Sequence, residues 1–338
     1  PPKTVDPHGD DTWAAPGAVP VSPAVILPAL GIVGDPARVP EYALEEELGR
    51  GGSAVVYAAH HATLDRTVAI KVLRGDAADH GAAALIQEAR IMGQLSHPQI
   101  LPVHALGQDG DGKPMLVMRK ADGVSWQALI QDPTHPVWAH LPGDAIDRSV
   151  RITLQLADAL SCAHDGGVLH RDVKPANVVL GRRGEVTLVD WGLAARMDPT
   201  GVLQTAPAGS PPFMAPEMFG CPATLDVRTD VFLLGATLWT ALTGAPPRRS
   251  ADGTLDGGDL PGELRQVLTQ ALAVAPADRF ATMDHFRQAL VAFVDHRSAL
   301  TLAVRAEARL HAALAPEAPD RHGRMAEARF GFQAALAA

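Results

Sequence analysis

The sequence predicts an α+β protein with two lobes, a small β-rich lobe followed by a larger, mostly helical lobe. Short apolar runs separated by turn residues occupy residues 42–118. A single segment inside this stretch, 82–95, has helical periodicity. From Ile146 onwards the patterns are mostly helical. We therefore expect the β lobe to close near Arg119.

The composition is typical of a soluble protein. Of the 338 residues, 47% are hydrophobic and 20% are charged, and the net charge of −9 argues against generic binding to nucleic acid or anionic membranes. Cys162 and Cys221 lie far apart in the sequence and match no disulfide or zinc pattern. No apolar run reaches the ~20 residues of a membrane span, and no signal peptide is visible. These observations favour a cytoplasmic location and no membrane segment.

The first 40 residues contain nine prolines, which block helix and disfavour central strands. Residues 1–40 are therefore predicted to be an extended tail or linker. Its middle part, 21–33, is apolar enough to lie against the surface of a domain.

The β lobe is predicted from short apolar segments bounded by turn residues. These predicted strands are 42–48, 55–57, 68–72, 100–105 and 115–118. In the predicted helix 82–95, Leu85, Glu88, Met92 and Leu95 fall on one face. Because an unpaired buried charge is costly, Glu88 in this apolar stripe should have a cationic partner.

The helical lobe is predicted from segments with helical periodicity, which are 152–163, 230–242, 262–272 and 283–294. The last segment, 298–338, carries Ala-Glu-Ala-Arg-Leu at 306–310 and Ala-Glu-Ala-Arg-Phe at 326–330, in a strongly helix-forming composition. It predicts a helical hairpin appended to the rest of the chain. A single repetition of this motif is too few to indicate a solenoid.

The most informative motif is His-Arg-Asp-Val-Lys-Pro-Ala-Asn at 170–177, followed by Asp-Trp-Gly at 190–192. It supplies two carboxylates, a lysine and an amide at fixed spacing. Phosphoryl transfer needs a carboxylate to receive a proton, a carboxylate and an amide oxygen to hold a divalent metal, and a cation to neutralise the moving group. The motif therefore indicates phosphoryl transfer.

This segment resembles the catalytic loop of eukaryotic-type (Hanks-type) serine/threonine protein kinases, and the sequence looks like their bacterial branch. Three further motifs in the family's order support the resemblance, which covers about residues 42–294: a glycine-rich segment at 49–56, Val-Ala-Ile-Lys at 68–71, and Gly-Ser-Pro-Pro-Phe-Met-Ala-Pro-Glu at 209–217. The resemblance implies the bilobal protein kinase fold. A small lobe with a five-stranded antiparallel sheet and one regulatory helix would be followed by a larger helical lobe, with ATP bound between them. The expected divisions are a tail at 1–40, an N-lobe at 41–120, a C-lobe at 121–297 and a helical extension at 298–338.

The resemblance also implies transfer of the γ-phosphoryl group of Mg-ATP to serine or threonine of a protein substrate. Asp172 would be the base and Lys174 would stabilise the γ-phosphoryl group. Lys71 would contact the α- and β-phosphates and pair with Glu88. Mg²⁺ would be held by Asn177 and Asp190. The remaining nucleotide-binding residues would be Gly49, Gly51, Gly52, Ser53, Val56, Ala69, Met118 and Val179, with the hinge at 119–121.

Other motif residues have structural or regulatory roles by the same resemblance. Ser210 would bridge Asp172 and Lys174, Glu217 would pair with Arg279, Asp230 would brace the catalytic loop, and His170 would pack beneath the turn at 190–192. Arg171 implies control by phosphorylation of the activation segment, with Thr205 preferred over Thr200.

Two alternatives remain open from the sequence. Ala54, Trp191 and Pro212 depart from the family pattern, which keeps a nucleotide-binding pseudokinase scaffold as the main rival. In another interpretation the hairpin at 298–338 is the main interaction module, with a candidate partner bound there. The other histidines, including His60, His61 and His164, have no metal-ligand spacing and are predicted to be surface or turn residues.

Overall fold

The computed structural model describes residues 13–14, 27–30, 41–74, 78–250, 253–314 and 320–337, and it has the two predicted lobes. The small lobe contains a five-stranded antiparallel sheet in the order β1-β2-β3-β5-β4. Its strands are β1 (Tyr42–Arg50), β2 (Ala54–His61), β3 (Arg66–Leu73), β4 (Val103–Gln108) and β5 (Pro114–Arg119). The predicted α+β class is confirmed.

Helix α1 (Ala78–Met92) packs against this sheet through the predicted apolar face. Leu85, Met92 and Glu88 are all buried. The helix begins at Ala78, four residues earlier than predicted, although Asp79, His80 and Gly81 have low helix propensity. It ends at Met92, where Gly93 follows, so Leu95 lies beyond the helix.

The large lobe contains α2 (Trp126–Gln131), α3 (Ala145–Asp165), α4 (Val227–Thr243), α5 (Gly262–Ala271), α6 (Met283–Leu314) and α7 (Arg321–Ala337). Helix α3 starts seven residues before the predicted 152. The Asp144 side chain caps it by accepting hydrogen bonds from the backbone N–H groups of Ile146 and Asp147, each at 3.0 Å. Helix α2 is absent from the sequence prediction because its six residues are too short for a clear period.

Helices α6 and α7 form the predicted C-terminal hairpin, and α6 runs unbroken through residue 298. The division between 297 and 298 stays a prediction, and it falls inside a helix. Ala306 and Ala328 are buried in the hairpin, and a Cβ at Gly331 would lie 2.9 Å from the Cβ of Ala306. Small residues thus allow the two helices to approach closely. Phe330 and Leu336 are exposed, and the partner predicted for this hairpin stays a prediction.

Two pieces of the N-terminal 40 residues are described, and both pair with other parts of the chain. In residues 27–30, the N–H of Leu30 donates to the Gln108 carbonyl and the N–H of Gln108 donates to the Pro28 carbonyl, both at 2.9 Å. A Cβ at Gly107 would lie 2.3 Å from the Cγ of Leu30, so glycine makes room for this contact. Trp13–Ala14 forms a short strand with Ala208–Gly209. The remaining part of the predicted tail lies outside the described residues. Among the described ranges, no helix has both the length and the apolar character that crossing a membrane requires.

Two histidines predicted to be surface or turn residues are in fact largely buried. His61 stacks on Tyr42 with ring centroids 4.7 Å apart. The His164 Nε2 lies 2.9 Å from Asp230 Oδ2, and its side chain is 8% exposed. The prediction is wrong for both because their partners are distant in the sequence or on another strand.

The predicted pair of Glu217 and Arg279 lies in the core of the large lobe. The two guanidinium nitrogens Nη1 and Nη2 of Arg279 donate to the two carboxylate oxygens of Glu217 at 2.7 and 2.8 Å. The arginine side chain is fully buried. It also donates to the carbonyls of Ala273 and Arg228. This bidentate pair therefore fixes the end of the activation segment to the loop that precedes α6.

Replacing Arg279 with methionine is expected to lower the free energy of unfolding by about 3–5 kcal/mol, because Glu217 would stay buried without its cation. Urea denaturation measures this change. The control is Arg309→Met, since Arg309 pairs with Glu327 on the exposed surface of the hairpin, and there a loss below about 1 kcal/mol is expected. Equal losses in the two variants would contradict the assignment.

Candidate active site

Lys71 connects the small lobe to the large lobe. It lies on β3, and its Nζ donates to Glu88 of α1 at 2.8 and 2.9 Å and to Asp190 Oδ1 at 3.1 Å. Glu88 is 4% exposed, so the cationic partner that its place in the apolar stripe requires is present. One ammonium group thus holds two carboxylates from two lobes.

The electrostatics of this cluster keep Lys71 charged. Burial lowers the pKa of Lys71, but Asp190 and Glu88 outweigh it and raise the pKa above the ordinary lysine value. The nearby Lys71 charge lowers the pKa of Asp190 to about 2, against the effect of burial. Burial raises the pKa of Glu88, and Lys71 offsets part of this effect. Asp190 is therefore ionised at neutral pH.

Asp172 is held by three polar neighbours. Ser210 Oγ donates to Asp172 Oδ1 at 2.8 Å, and Asn177 Nδ2 donates to Oδ2 at 3.0 Å. Lys174 Nζ lies 3.1 Å from the same Oδ2 and donates to Ser210 Oγ at 2.8 Å. Burial raises the pKa of Asp172, while Lys174 and Ser210 lower it. The structure thus brings Asp172, Lys174, Asn177 and Ser210 into one buried cluster.

The backbone of the loop that carries Asp172 is fixed by Asp230, a buried residue of α4. Asp230 Oδ2 accepts from the His170 N–H at 2.9 Å, and Oδ1 accepts from the Arg171 N–H at 3.0 Å. Arg171 has a φ of 71°, a left-handed conformation that is costly for a non-glycine residue. The two hydrogen bonds stabilise this conformation. His164 is the third partner of Asp230, and sequence reasoning missed it because a single histidine on a helix gives no signal.

The turn at 190–192 places Asp190 above a buried tryptophan. Trp191 is fully buried, its Nε1 donates to the Leu188 carbonyl at 3.3 Å, and its ring lies 4.6 Å from that of His170. A Cβ at Gly192 would lie 3.2 Å from Asp190 Oδ1 and 3.4 Å from Lys71 Nζ. Glycine at 192 thus leaves room for the ion pair. The indole ring of Trp191 is accommodated in the core with its nitrogen hydrogen-bonded.

The predicted nucleotide-binding residues outside the two charge clusters lie on β1, β2, β3, β5 and the strand Val178–Leu180 of the large lobe, apart from Gly51, Gly52 and Ser53, which form the turn between β1 and β2. Ala69 lies opposite Met118 in the sheet, and Val56 lies opposite Lys71. Val179 is half-buried in the large lobe. In the glycine-rich turn, the Gly51 N–H donates to the Ala54 carbonyl at 2.9 Å, and a Cβ at Gly49 or Gly52 would meet nothing within 4 Å. The turn therefore has open space above it.

Asn177 and Asp190 have the chemistry of a magnesium site. The amide nitrogen of Asn177 is engaged by Asp172, which leaves its oxygen for a ligand, and Asp190 is an ionised carboxylate. A backbone hydrogen bond from Val189 to Asn177, at 2.8 Å, ties the two segments together. Hard oxygen donors of this type fit Mg²⁺.

Arg171 also contacts the activation segment. Its Nη2 donates to Thr205 Oγ1 at 3.2 Å, and its Nη1 donates to the Leu193 carbonyl at 3.1 Å. Thr200, by contrast, is exposed and donates its hydroxyl to Asp198 at 2.5 Å. The two candidate threonines thus have opposite electrostatic surroundings.

This two-lobed fold, with an ion-paired lysine in the sheet lobe and an Asp-Lys-Asn set in the helical lobe, defines the class of kinase-fold proteins. The protein kinase domain model matches residues 42–305. The chain therefore belongs to the protein kinase family, which confirms the resemblance found in the sequence.

Curated relatives of the chain are bacterial serine/threonine-protein kinases by name. It is 39% identical over 257 residues to PknK of Mycobacterium tuberculosis, an alignment that covers 70% of this chain and 22% of the relative. It is 36% identical to PknD of M. tuberculosis and 34% identical to PknH of Mycobacterium bovis, in each case over 261 residues and 71% of this chain. These alignments cover 37% and 42% of the two relatives. The chain thus spans less than half the length of the curated relatives it matches.

Replacing Lys71 with methionine is expected to reduce the free energy of unfolding by about 3–5 kcal/mol at pH 7, because Glu88 would lose its buried partner. The loss should shrink at pH 5. Without the cation, the effect of burial on Glu88 is no longer offset, so the folded-state pKa of Glu88 lies further above its unfolded value. The stability that such groups contribute is present at low pH and lost as the pH rises. Urea denaturation of parent and variant at the two pH values measures the difference.

The matched control is Lys120→Met, because Lys120 pairs with Asp122, whose side chain is 80% exposed. This variant should differ from the parent by less than about 1 kcal/mol at either pH. A loss in Lys71→Met that does not depend on pH would exclude the electrostatic explanation.

Proposed function

We propose that the chain is a serine/threonine protein kinase that transfers the γ-phosphoryl group of ATP to hydroxyl groups of protein substrates. The observation that carries this proposal is the pair of charge clusters around Lys71 and Asp172. Lys71 joins Glu88 and Asp190 across the lobes, and Asp172 is hydrogen-bonded to Ser210 and Asn177. The names of the mycobacterial relatives support the same activity.

In this proposal Asp172 accepts the proton of the attacking serine or threonine hydroxyl. The hydroxyl oxygen forms the new bond to the γ-phosphorus, the bond to the bridging oxygen breaks, and ADP leaves. Because the transition state of phosphoryl transfer is loose, holding the hydroxyl in line matters more than the strength of the base. Lys174, 3.1 Å from Asp172, stabilises the charge on the moving group.

The nucleotide would lie between the lobes. Backbone N–H groups of the glycine-rich turn, at Gly52 and Ser53, would bind phosphate oxygens; the predicted third donor, the Gly51 N–H, is instead engaged by the Ala54 carbonyl. Lys71 would contact the α- and β-phosphates. Val56, Ala69, Met118 and Val179 would surround the adenine, beside the hinge at 119–121. Asn177 and Asp190 would hold Mg²⁺, which neutralises phosphate charge when bound.

The pseudokinase scaffold is not favoured. Ala54 is a buried residue of β2, and Trp191 is buried with its indole nitrogen paired. These two of the three departures from the family pattern are thus accommodated by packing. The third, Pro212, is an exposed residue of a turn, and the Asp172 cluster is intact.

Asp172→Asn is expected to reduce transfer of radiolabelled phosphate from ATP to a protein substrate by about 10²–10⁴-fold, since the amide cannot accept the proton. The labelled product, hydrolysed to amino acids, should contain phosphoserine or phosphothreonine. Asp165→Asn is the control, because Asp165 is exposed at the end of α3 and should leave the rate unchanged. ATP binding by the parent without any transfer would support the scaffold instead.

The regulatory part of the proposal is autophosphorylation of Thr205. A phosphate there would lie beside the Arg171 guanidinium, which already donates to the Thr205 hydroxyl, and would form a charge-assisted hydrogen bond. At Thr200 a phosphate would face the carboxylate of Asp198, which opposes it. The geometry favours Thr205.

Thr205→Ala is therefore expected to lower the activity of protein pre-incubated with Mg-ATP by about tenfold, equivalent to one lost hydrogen bond to a charged group of ~1.5 kcal/mol. Thr200→Ala should retain the parent rate. Phosphopeptide mapping after the incubation should locate phosphate on Thr205. Equal activity of the two variants, with no phosphate at 205, would refute this regulatory role.

A further inference from the structure

The short strand Trp13–Ala14 pairs with a segment beside the Asp172 cluster. The pairing is antiparallel, with Trp13 opposite Gly209 and Ala14 opposite Ala208. It is a backbone contact between residues almost two hundred positions apart in the chain. The sequence predicts only an extended tail for residues 1–40 and gives no partner for Trp13–Ala14.

The strand Ala208–Gly209 lies directly next to the residues proposed to react. Gly209 precedes Ser210, whose Oγ donates to Asp172 Oδ1 at 2.8 Å. Gly209 has a φ of 142°, and a Cβ there would lie 3.0 Å from Met214 Cγ and 3.4 Å from the Arg171 carbonyl oxygen. This strand is thus pressed against the catalytic loop, and one face of its backbone is covered by Trp13–Ala14.

We propose that the N-terminal segment containing Trp13–Ala14 is a ligand of the Ala208–Gly209 strand in cis, and that it competes there with protein substrates. The competition rests on the kinase activity proposed above. A peptide that adds a strand to an exposed backbone binds through main-chain hydrogen bonds, which do not depend strongly on its sequence. An extended protein substrate that presents a hydroxyl to Asp172 must pass the same strand.

Covalent connection explains how a short pairing can compete. A ladder of two residues is weak by itself. Because the segment belongs to the same chain, its effective concentration at the strand is on the order of mM, typical of linked sites. A protein substrate at lower concentration would then have to displace it. The segment therefore raises the apparent KM for protein substrates and leaves the chemical step unchanged.

A purely structural role for the N-terminal segment would have different consequences. Removing a segment that only stabilises the fold would lower stability and change kcat, whereas removing a competitor lowers the KM for the protein substrate alone. The decisive variants are a deletion of residues 1–20 and the double change Trp13→Pro with Ala14→Pro, because proline has no N–H to donate to the ladder. The matched control places the same two prolines at Thr4 and Val5.

With casein as acceptor, the deletion and the Trp13→Pro, Ala14→Pro variant should show a KM for casein about 3–10-fold below that of the parent, as expected where the effective concentration of the tethered segment exceeds its dissociation constant about 2–9-fold. Their kcat and their KM for ATP should equal those of the parent, and the control should match the parent throughout. A synthetic peptide of residues 8–19, with alanine at Thr12 so that it accepts no phosphate, should inhibit the deletion variant competitively against casein but not against ATP. The same peptide with prolines at 13 and 14 should not inhibit.

Hydrogen–deuterium exchange gives a measurement that does not depend on activity. The amides of Ala208 and Gly209 should exchange faster in the deletion and double-proline variants than in the parent and the control. Unchanged exchange, or an unchanged KM for casein together with no inhibition by the peptide, would overturn the inference. If casein is not phosphorylated by any variant, the proposed function fails for this acceptor, and the exchange result still decides whether the segment binds the strand.

Discussion

The active-site arrangement depends on one buried ammonium group. Lys71 comes from a sheet, Glu88 from a helix and Asp190 from a loop of the other lobe. The Nζ of Lys71 nevertheless lies within 3.1 Å of both carboxylates. A buried carboxylate without this cation would carry a large desolvation cost. The position of α1 against the sheet and the closure of the two lobes are therefore linked by the same charge. Any motion that withdraws Glu88 must also leave Lys71 with a single partner.

The large lobe solves a similar problem with a buried acid. This acid is Asp230, which is fully buried in α4. Burial raises its pKa, and hydrogen bonds from His164 and backbone N–H groups outweigh this effect and keep the pKa low. Those N–H groups belong to His170 and Arg171, so the acid is stabilised by the same loop whose left-handed residue it fixes. The same two hydrogen bonds thus stabilise the left-handed conformation of Arg171 and the negative charge of Asp230. Asp172 follows Arg171 directly in the chain.

How much the sequence predicts depends on how local the signal is. Glu88 could be assigned a cationic partner because its place in an apolar helix face is a local pattern, and the motif at 170–177 carries four chemical groups in eight residues. The bond from His164 to Asp230 and the pairing of Trp13–Ala14 with Ala208–Gly209 join distant residues with no characteristic spacing. Helix boundaries were missed where caps or neighbouring segments extend the helix, as Asp144 does for α3. Local chemistry was predictable from the residues, and long-range polar contacts were predicted only where the family resemblance implied them, as for Glu217 and Arg279.

The segment 203–210 is the place where these separate interactions converge. Thr205 contacts Arg171, Ser210 contacts Asp172 and Lys174, and the strand between them pairs with the N-terminal segment. Because Arg171 and Asp172 are adjacent in the chain, a phosphate that draws Arg171 towards Thr205 acts on the same backbone that positions the base. That backbone also lies against the strand at 208–209, since a Cβ at Gly209 would be 3.4 Å from the Arg171 carbonyl oxygen, and the N-terminal segment pairs with this strand. Under the two proposals above, phosphorylation of Thr205 and binding of the N-terminal segment act on one structural element, and any effect of the first on the free energy of the second is matched by an equal effect in the other direction.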